Sequence, residues 1–109
     1  MDPEDDKLVV LARATRTRTG GPEGAALRDL DGRTYAGASV DLPSLQVSAV
    51  GVVIAMALSS GAKGAEAVVV LGADDVAEGD LAALRDFAGS GVPVHRGTPA
   101  GQVVSSTTT

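Results

Sequence analysis

Residues 45–60 read LQVSAVGVVIAMALSS, the longest nearly uncharged run in the chain and too long for an ordinary strand. Its β-branched residues weaken intrinsic helix propensity, so the helix reading rests on length, on context and on Pro43 and Ser44 as a start signal. Apolar side chains occupy every side of the wheel, which predicts a helix enclosed by other structure. The exception is a row of small residues, Ser48, Gly51 or Val52, Ala55 and Ser59, along which another backbone could approach closely.

Working outward, the helix ends near Gly61, and residues 67–71, AVVVL, form an apolar run bounded by Gly64 and Gly72. Such a run suits a strand buried on both faces. Residues 80–88 follow as an amphipathic helix with Leu81, Leu84, Phe87 and Ala88 on one side, acidic Asp74, Asp75 and Glu78 near its start, and Gly89 and Gly91 stopping it. Residues 92–95 make a short strand, which closes a βαβ crossover. On the other side of the central helix, residues 25–28 and 34–40 flank Asp31-Gly32, a hairpin signal. Before them, residues 7–16 read as a short helix ended by Gly20, Gly21 and Pro22.

The predicted order is therefore α-β-β-α-β-α-β, an α/β three-layer sandwich around a mixed sheet. Residues 1–6 are expected to be a flexible acidic leader or the capping region of the first helix. Residues 7–96 form a single domain, and residues 97–109 a polar, frayed tail.

Composition narrows the function. The 109 residues are 44% hydrophobic and 21% charged, as in a globular domain, but only 2% aromatic, namely Tyr35 and Phe87. Nucleobases are commonly held by aromatic stacking, and a net charge of −5 disfavours a phosphate backbone. A nucleic-acid partner is not expected. Arg13, Arg16 and Arg18 read as the solvated end of a helix, where cations suit the macrodipole. No cysteine is present, which removes disulfides, thiol nucleophiles and thiolate metal centres. The acidic N-terminus and short apolar runs give no signal peptide and no membrane span, so a cytoplasmic protein is expected.

Four stretches carry a resemblance: LVVLARA, PEGAALRDLDGRTYAGASVD, LQVSAVGVVIAMALSSG and AEAVVVLG. In order and in their small and apolar positions they resemble the cytidine deaminase family. Its members carry a PVGAAL segment, a DG hairpin, a strand ending in a GCNVE-like motif and a helix opening LxxCAE. The resemblance implies a cytidine deaminase-like fold, a zinc ion held by three His or Cys ligands, and a Glu that moves the proton while zinc-bound hydroxide attacks the pyrimidine.

Here the first ligand position falls on Ser48, a poor zinc ligand, and the catalytic Glu position on Val50, which cannot transfer a proton. The segment aligned with the remaining two ligands, ADDVAEGDLAALRDF, has neither Cys nor His, and its acids read as helix caps. The family's ribose-binding Asn and Glu align with Ser39 and Asp41, its pocket Phe with Gly21, and an Arg following the Glu with Gly51. No metal and no cofactor are therefore expected. A remnant ligand pocket would comprise Ser39, Asp41 and Ser48. His95 is the sole histidine, so a Ser–His–Asp triad would need it beside Ser48 or another serine; otherwise it is a polar residue at a strand end.

The leading expectation is a pseudoenzyme kept as an oligomeric scaffold or interaction module, since the resemblance implies a homo-oligomer, dimer or tetramer. The alternatives are a protein that binds a nucleoside or similar small molecule in the remnant pocket, and a deaminase-type hydrolase with a non-standard site.

Overall fold

The computed structural model describes residues 1–109. In chain order it contains α1 (Pro3–Thr19), β1 (Gly24–Asp29), β2 (Thr34–Ala38), β3 (Val40–Leu42), β4 (Leu45–Val47), α2 (Ala49–Ser59), β5 (Ala65–Leu71), α3 (Glu78–Ala88), β6 (Pro93–Gly97) and β7 (Val103–Thr108). Five strands make one mixed sheet in the order β2-β1-β5-β6-β7, with β5 and β6 parallel and the other neighbours antiparallel.

Alternation along β1 and β5 divides the core in two. Ala26, Val69 and Leu71 point to α1, where Leu8 and Ala12 cover them. Ala25, Leu27, Val68 and Val70 point to the opposite face, where they meet Val50, Val53, Ile54 and Ala57 of α2 and Leu84 of α3. One helix on one face and two on the other make the expected three-layer sandwich. Small side chains set the spacing: a Cβ on Gly24 would collide with the Ala12 carbonyl, so α1 lies directly on the β1 backbone.

All seven expected elements are present, and three were not foreseen. The central helix starts four residues later than its composition suggests. Leu45, Gln46 and Val47 instead form β4, paired antiparallel with β3 through Val40↔Val47, Asp41↔Gln46 and Leu42↔Leu45. That register leaves Pro43 and Ser44 as the two residues of a hairpin turn. A proline suits that role as well as a helix start, because its φ is fixed near the value both require. Ser48, with φ −67° and ψ 159°, is the true N-cap, and its Oγ accepts from the Gly51 amide at 3.0 Å. Such a cap contributes about 1 kcal/mol.

At the N-terminus the capping reading holds and the flexible leader does not. Residues 3–6 are helical: Asp2 caps α1 by accepting from the Glu4 amide at 2.8 Å, and Glu4, Asp5 and Asp6 lie in the first turn, where the macrodipole favours acids. The helix runs to Gly20, whose φ of 71° closes it. At the other end, residues 103–108 are β7 rather than a frayed tail, because Val, Ser and Thr without a charge or proline pair readily with β6.

Nor is α2 enclosed all round. Ala55, Met56, Leu58 and Ser59 are exposed, so the outer half of the small-residue row meets solvent. Its inner half is used within the chain, where Val52 packs on the β2 backbone so closely that a Cβ on Gly37 would lie 2.6 Å from Val52 Cγ1.

Candidate functional site

The first turn of α2 gathers a group of polar side chains. Ser48 Oγ, besides capping the helix, donates to Asp80 Oδ1 of α3 at 2.7 Å. Glu23, in the segment leading into β1, turns its Oε1 towards the Ala49 amide at 3.5 Å. Two carboxylates and a hydroxyl thus meet at the positive end of α2, where unpaired amides attract anions. Val50, one residue on, is 1% exposed and packed in the main core. Gly51 is equally constrained, since a Cβ there would lie 2.8 Å from Val47 Cγ1.

Zinc does not fit this donor set. Ser48 Oγ is committed to Gly51 and Asp80, Val50 offers no donor, and no group of three His, Cys, Asp or Glu side chains is placed to hold a metal. The acids of residues 74–80 do not cap α3 as expected. Its N-cap is Ala77, with no side-chain cap bond. The preceding loop is drawn instead to Arg96, whose guanidinium donates to the Asp74 carbonyl at 2.9 Å and the Ala73 carbonyl at 2.7 Å. Glu78 pairs with Arg85 at 3.1 Å, and Asp80 turns to Ser48.

The three remnant-pocket residues are not brought into one cavity. Asp41 is exposed on β3, opposite Gln46, and Ser48 is occupied as described. Ser39 follows β2, and its Oγ is buried with no hydrogen-bond partner. None of the four surface concavities is lined by Ser39, Asp41 or Ser48. Asp80 was read from the sequence only as one of the acids capping α3, and Glu23 was not singled out, although it is a charge where the PVGAAL pattern has Val.

Two other carboxylates are tightly held. Burial raises the pKa of Asp29, but hydrogen bonds from the Tyr35 hydroxyl at 2.8 Å and the Arg33 and Asp31 amides, with the Arg33 charge, outweigh it and hold the group below its ordinary 3.8. At Asp5 burial again raises the pKa, and the hydrogen bonds and charges of His95 and Arg28 again win, so this carboxyl is lowered too. Where the folded pKa is depressed, the unfolded chain takes up the proton first as pH falls. Both groups therefore stabilise the fold at neutral pH, and thermal melting should show the melting temperature dropping as pH falls below about 4.

His95, expected at a strand end, is an interior residue of β6 facing α1. Its Nε2 lies 2.9 Å from Asp5 Oδ2 and its Nδ1 2.7 Å from Ser106 Oγ on β7.

A mixed sheet between one helix and two, with its polar focus at the start of the central helix, defines a deaminase-type α/β/α sandwich. The comparisons agree. Residues 1–101 match the family model described as cytidine deaminase-like. Among solved structures, the cytidine deaminase from Burkholderia pseudomallei is similar with a TM-score of 0.83 and 22% identity, over 98% of this chain and 92% of that one. The cytidine deaminase from Mycobacterium leprae gives 0.78 and 23%, over 98% and 94%. That from Mycobacterium tuberculosis gives 0.74 and 21%, over 85% of each chain. No curated protein sequence matches significantly. The chain belongs to the cytidine deaminase-like family.

Proposed function

We propose that this chain is inactive as a cytidine deaminase and serves as an oligomeric scaffold or interaction module in the cytoplasm. The observation that carries the reading is the first turn of α2, where Ser48 spends its hydroxyl on structure and Val50 is sealed in the core. With no group of side chains placed to hold a metal that would make hydroxide, and without a carboxylic acid at position 50, neither the nucleophile nor the proton transfer of the family reaction has a source. Purified protein incubated with cytidine in zinc-supplemented buffer should produce no uridine above the buffer rate and carry no stoichiometric zinc. Turnover above that rate overturns the proposal.

The assembly half of the reading is supported by an apolar face. Leu42 and Leu45 on the β3-β4 hairpin and Met56 on α2 are 55%, 53% and 39% exposed, and Leu45 and Met56 line the same concavity. Clustered large apolar side chains left open in a monomer mark association surfaces. Size-exclusion chromatography with light scattering should give a dimer or tetramer, and a strict monomer at micromolar concentration removes the scaffold reading.

A second reading, binding of a nucleoside-like molecule near Ser39, Asp41 and Ser48, draws support from one feature: the Ser39 hydroxyl is buried without a partner. A bound nucleoside would raise the melting temperature by mass action, and no shift at millimolar ligand rejects it.

A further inference from the structure

The single histidine lies in a line of polar groups unrelated to the deaminase site. Asp5 comes from α1, His95 from β6 and Ser106 from β7, and β6 and β7 place His95 and Ser106 directly opposite each other. The contacts run Arg28 to Asp5 Oδ1 at 2.9 Å, Asp5 Oδ2 to His95 Nε2 at 2.9 Å, and His95 Nδ1 to Ser106 Oγ at 2.7 Å. The side chains of His95 and Asp5 are only 12% and 11% exposed, whereas Ser106 is open to solvent.

Protonation states follow from this arrangement. Two hydrogen bonds and the Arg28 charge keep Asp5 ionised, and a carboxylate can only accept. His95 Nε2 must therefore carry the proton it donates to Asp5. In neutral imidazole the other nitrogen is then bare, so Ser106 Oγ–H donates to Nδ1. An exposed hydroxyl, a base within hydrogen-bond reach and a buried carboxylate orienting that base are the three roles of nucleophilic catalysis, here with the two ring nitrogens exchanged relative to the usual triad.

We propose that Ser106 is a nucleophile activated by His95 and Asp5, able to take an acyl group from a small activated carboxylic ester at the open edge of the sheet. Ser106 Oγ bonds to the ester carbonyl carbon as its proton passes to His95 Nδ1. The carbon–oxygen bond to the leaving group then breaks, the leaving alkoxide collects that proton, and an acyl-serine remains. Water deprotonated by the same nitrogen releases the acid and restores the hydroxyl. Because β7 pairs with β6 alone, alternate amide N–H groups along its outer side face solvent, and these are the donors available to the oxyanion.

The test is labelling with a fluorophosphonate, in which Ser106 Oγ forms the P–O bond, fluoride leaves and the proton goes to His95. Intact-mass and peptide mapping should find one adduct, on Ser106, in the unaltered chain and in Ser105→Ala. It should be absent in Ser106→Ala, whose exposed edge position leaves the fold intact. The labelling rate should fall at least about 100-fold in His95→Asn, the size of a lost general base. No adduct on the unaltered chain, an adduct elsewhere, or an unchanged rate in a folded His95→Asn overturns the proposal.

Discussion

Val50→Glu, which puts a carboxylate where the family resemblance places its catalytic Glu, lowers the stability of the domain by about 3–5 kcal/mol, the cost of an uncompensated charge in a core. Val50 is 1% exposed within a cluster that includes Val53, Val70, Leu84 and Val94. No cation stands nearby to repay the desolvation. The groups gathered at the start of α2, Glu23 and Asp80, are themselves acidic and add repulsion. The new carboxyl would therefore have its pKa raised on folding, and the folded variant would bind a proton that the unfolded one releases. Its deficit relative to the unaltered chain is then larger at pH 7 than at pH 5. Urea unfolding at the two pH values measures both statements, and a variant as stable as the parent would mean that position 50 is not sealed. Adding Ser48→Cys should yield no deamination, because the segment that the resemblance aligns with the two further ligands, ADDVAEGDLAALRDF, contains neither Cys nor His.

The layers were legible in the sequence because apolar periodicity reports burial directly: AVVVL at the centre of the sheet and the amphipathic spacing of α3 both stand where their patterns place them. Boundaries were less legible where one residue type serves two structures. Pro43 fits a helix start and a hairpin turn alike, and only the pairing of residues 45–47 with 40–42 decides between them. The end of the chain was misread for a related reason. Ser and Thr are polar in composition yet β-branched or small enough to complete a strand, so VVSSTT looks frayed until β6 is beside it.

Site legibility divides along the same line. What Ser48 and Val50 lack as chemical groups could be read from their identities. What they do required the fold, since the partner of Ser48 is 32 residues away on α3. The meeting of Asp5, His95 and Ser106 spans almost the whole chain, and no local pattern announces it.

Leu84→Ala should cost about 2–5 kcal/mol, the range for deleting a buried leucine side chain. Leu84 is the one buried residue of α3 and is fully enclosed, while Leu81, Ala83, Phe87 and Ala88 are only partly covered. The helix is thus held to the sandwich by a single deep anchor, reinforced at its first turn by the hydrogen bond from Ser48 to Asp80. Removing the anchor should loosen α3 before the sheet. Hydrogen exchange should show α3 amides opening at lower free energy than those of β5, where Val68 and Val69 are sealed on opposite faces. A coupling follows. Once α3 is loosened, Asp80 no longer holds Ser48, so Ser48→Ala should cost less in the Leu84→Ala background than in the parent, by 0.5 kcal/mol or more on the scale typical of coupled residues. Strict additivity would show that Ser48 acts only as the cap of α2, and that the first turn of α2 is not what joins the two helices.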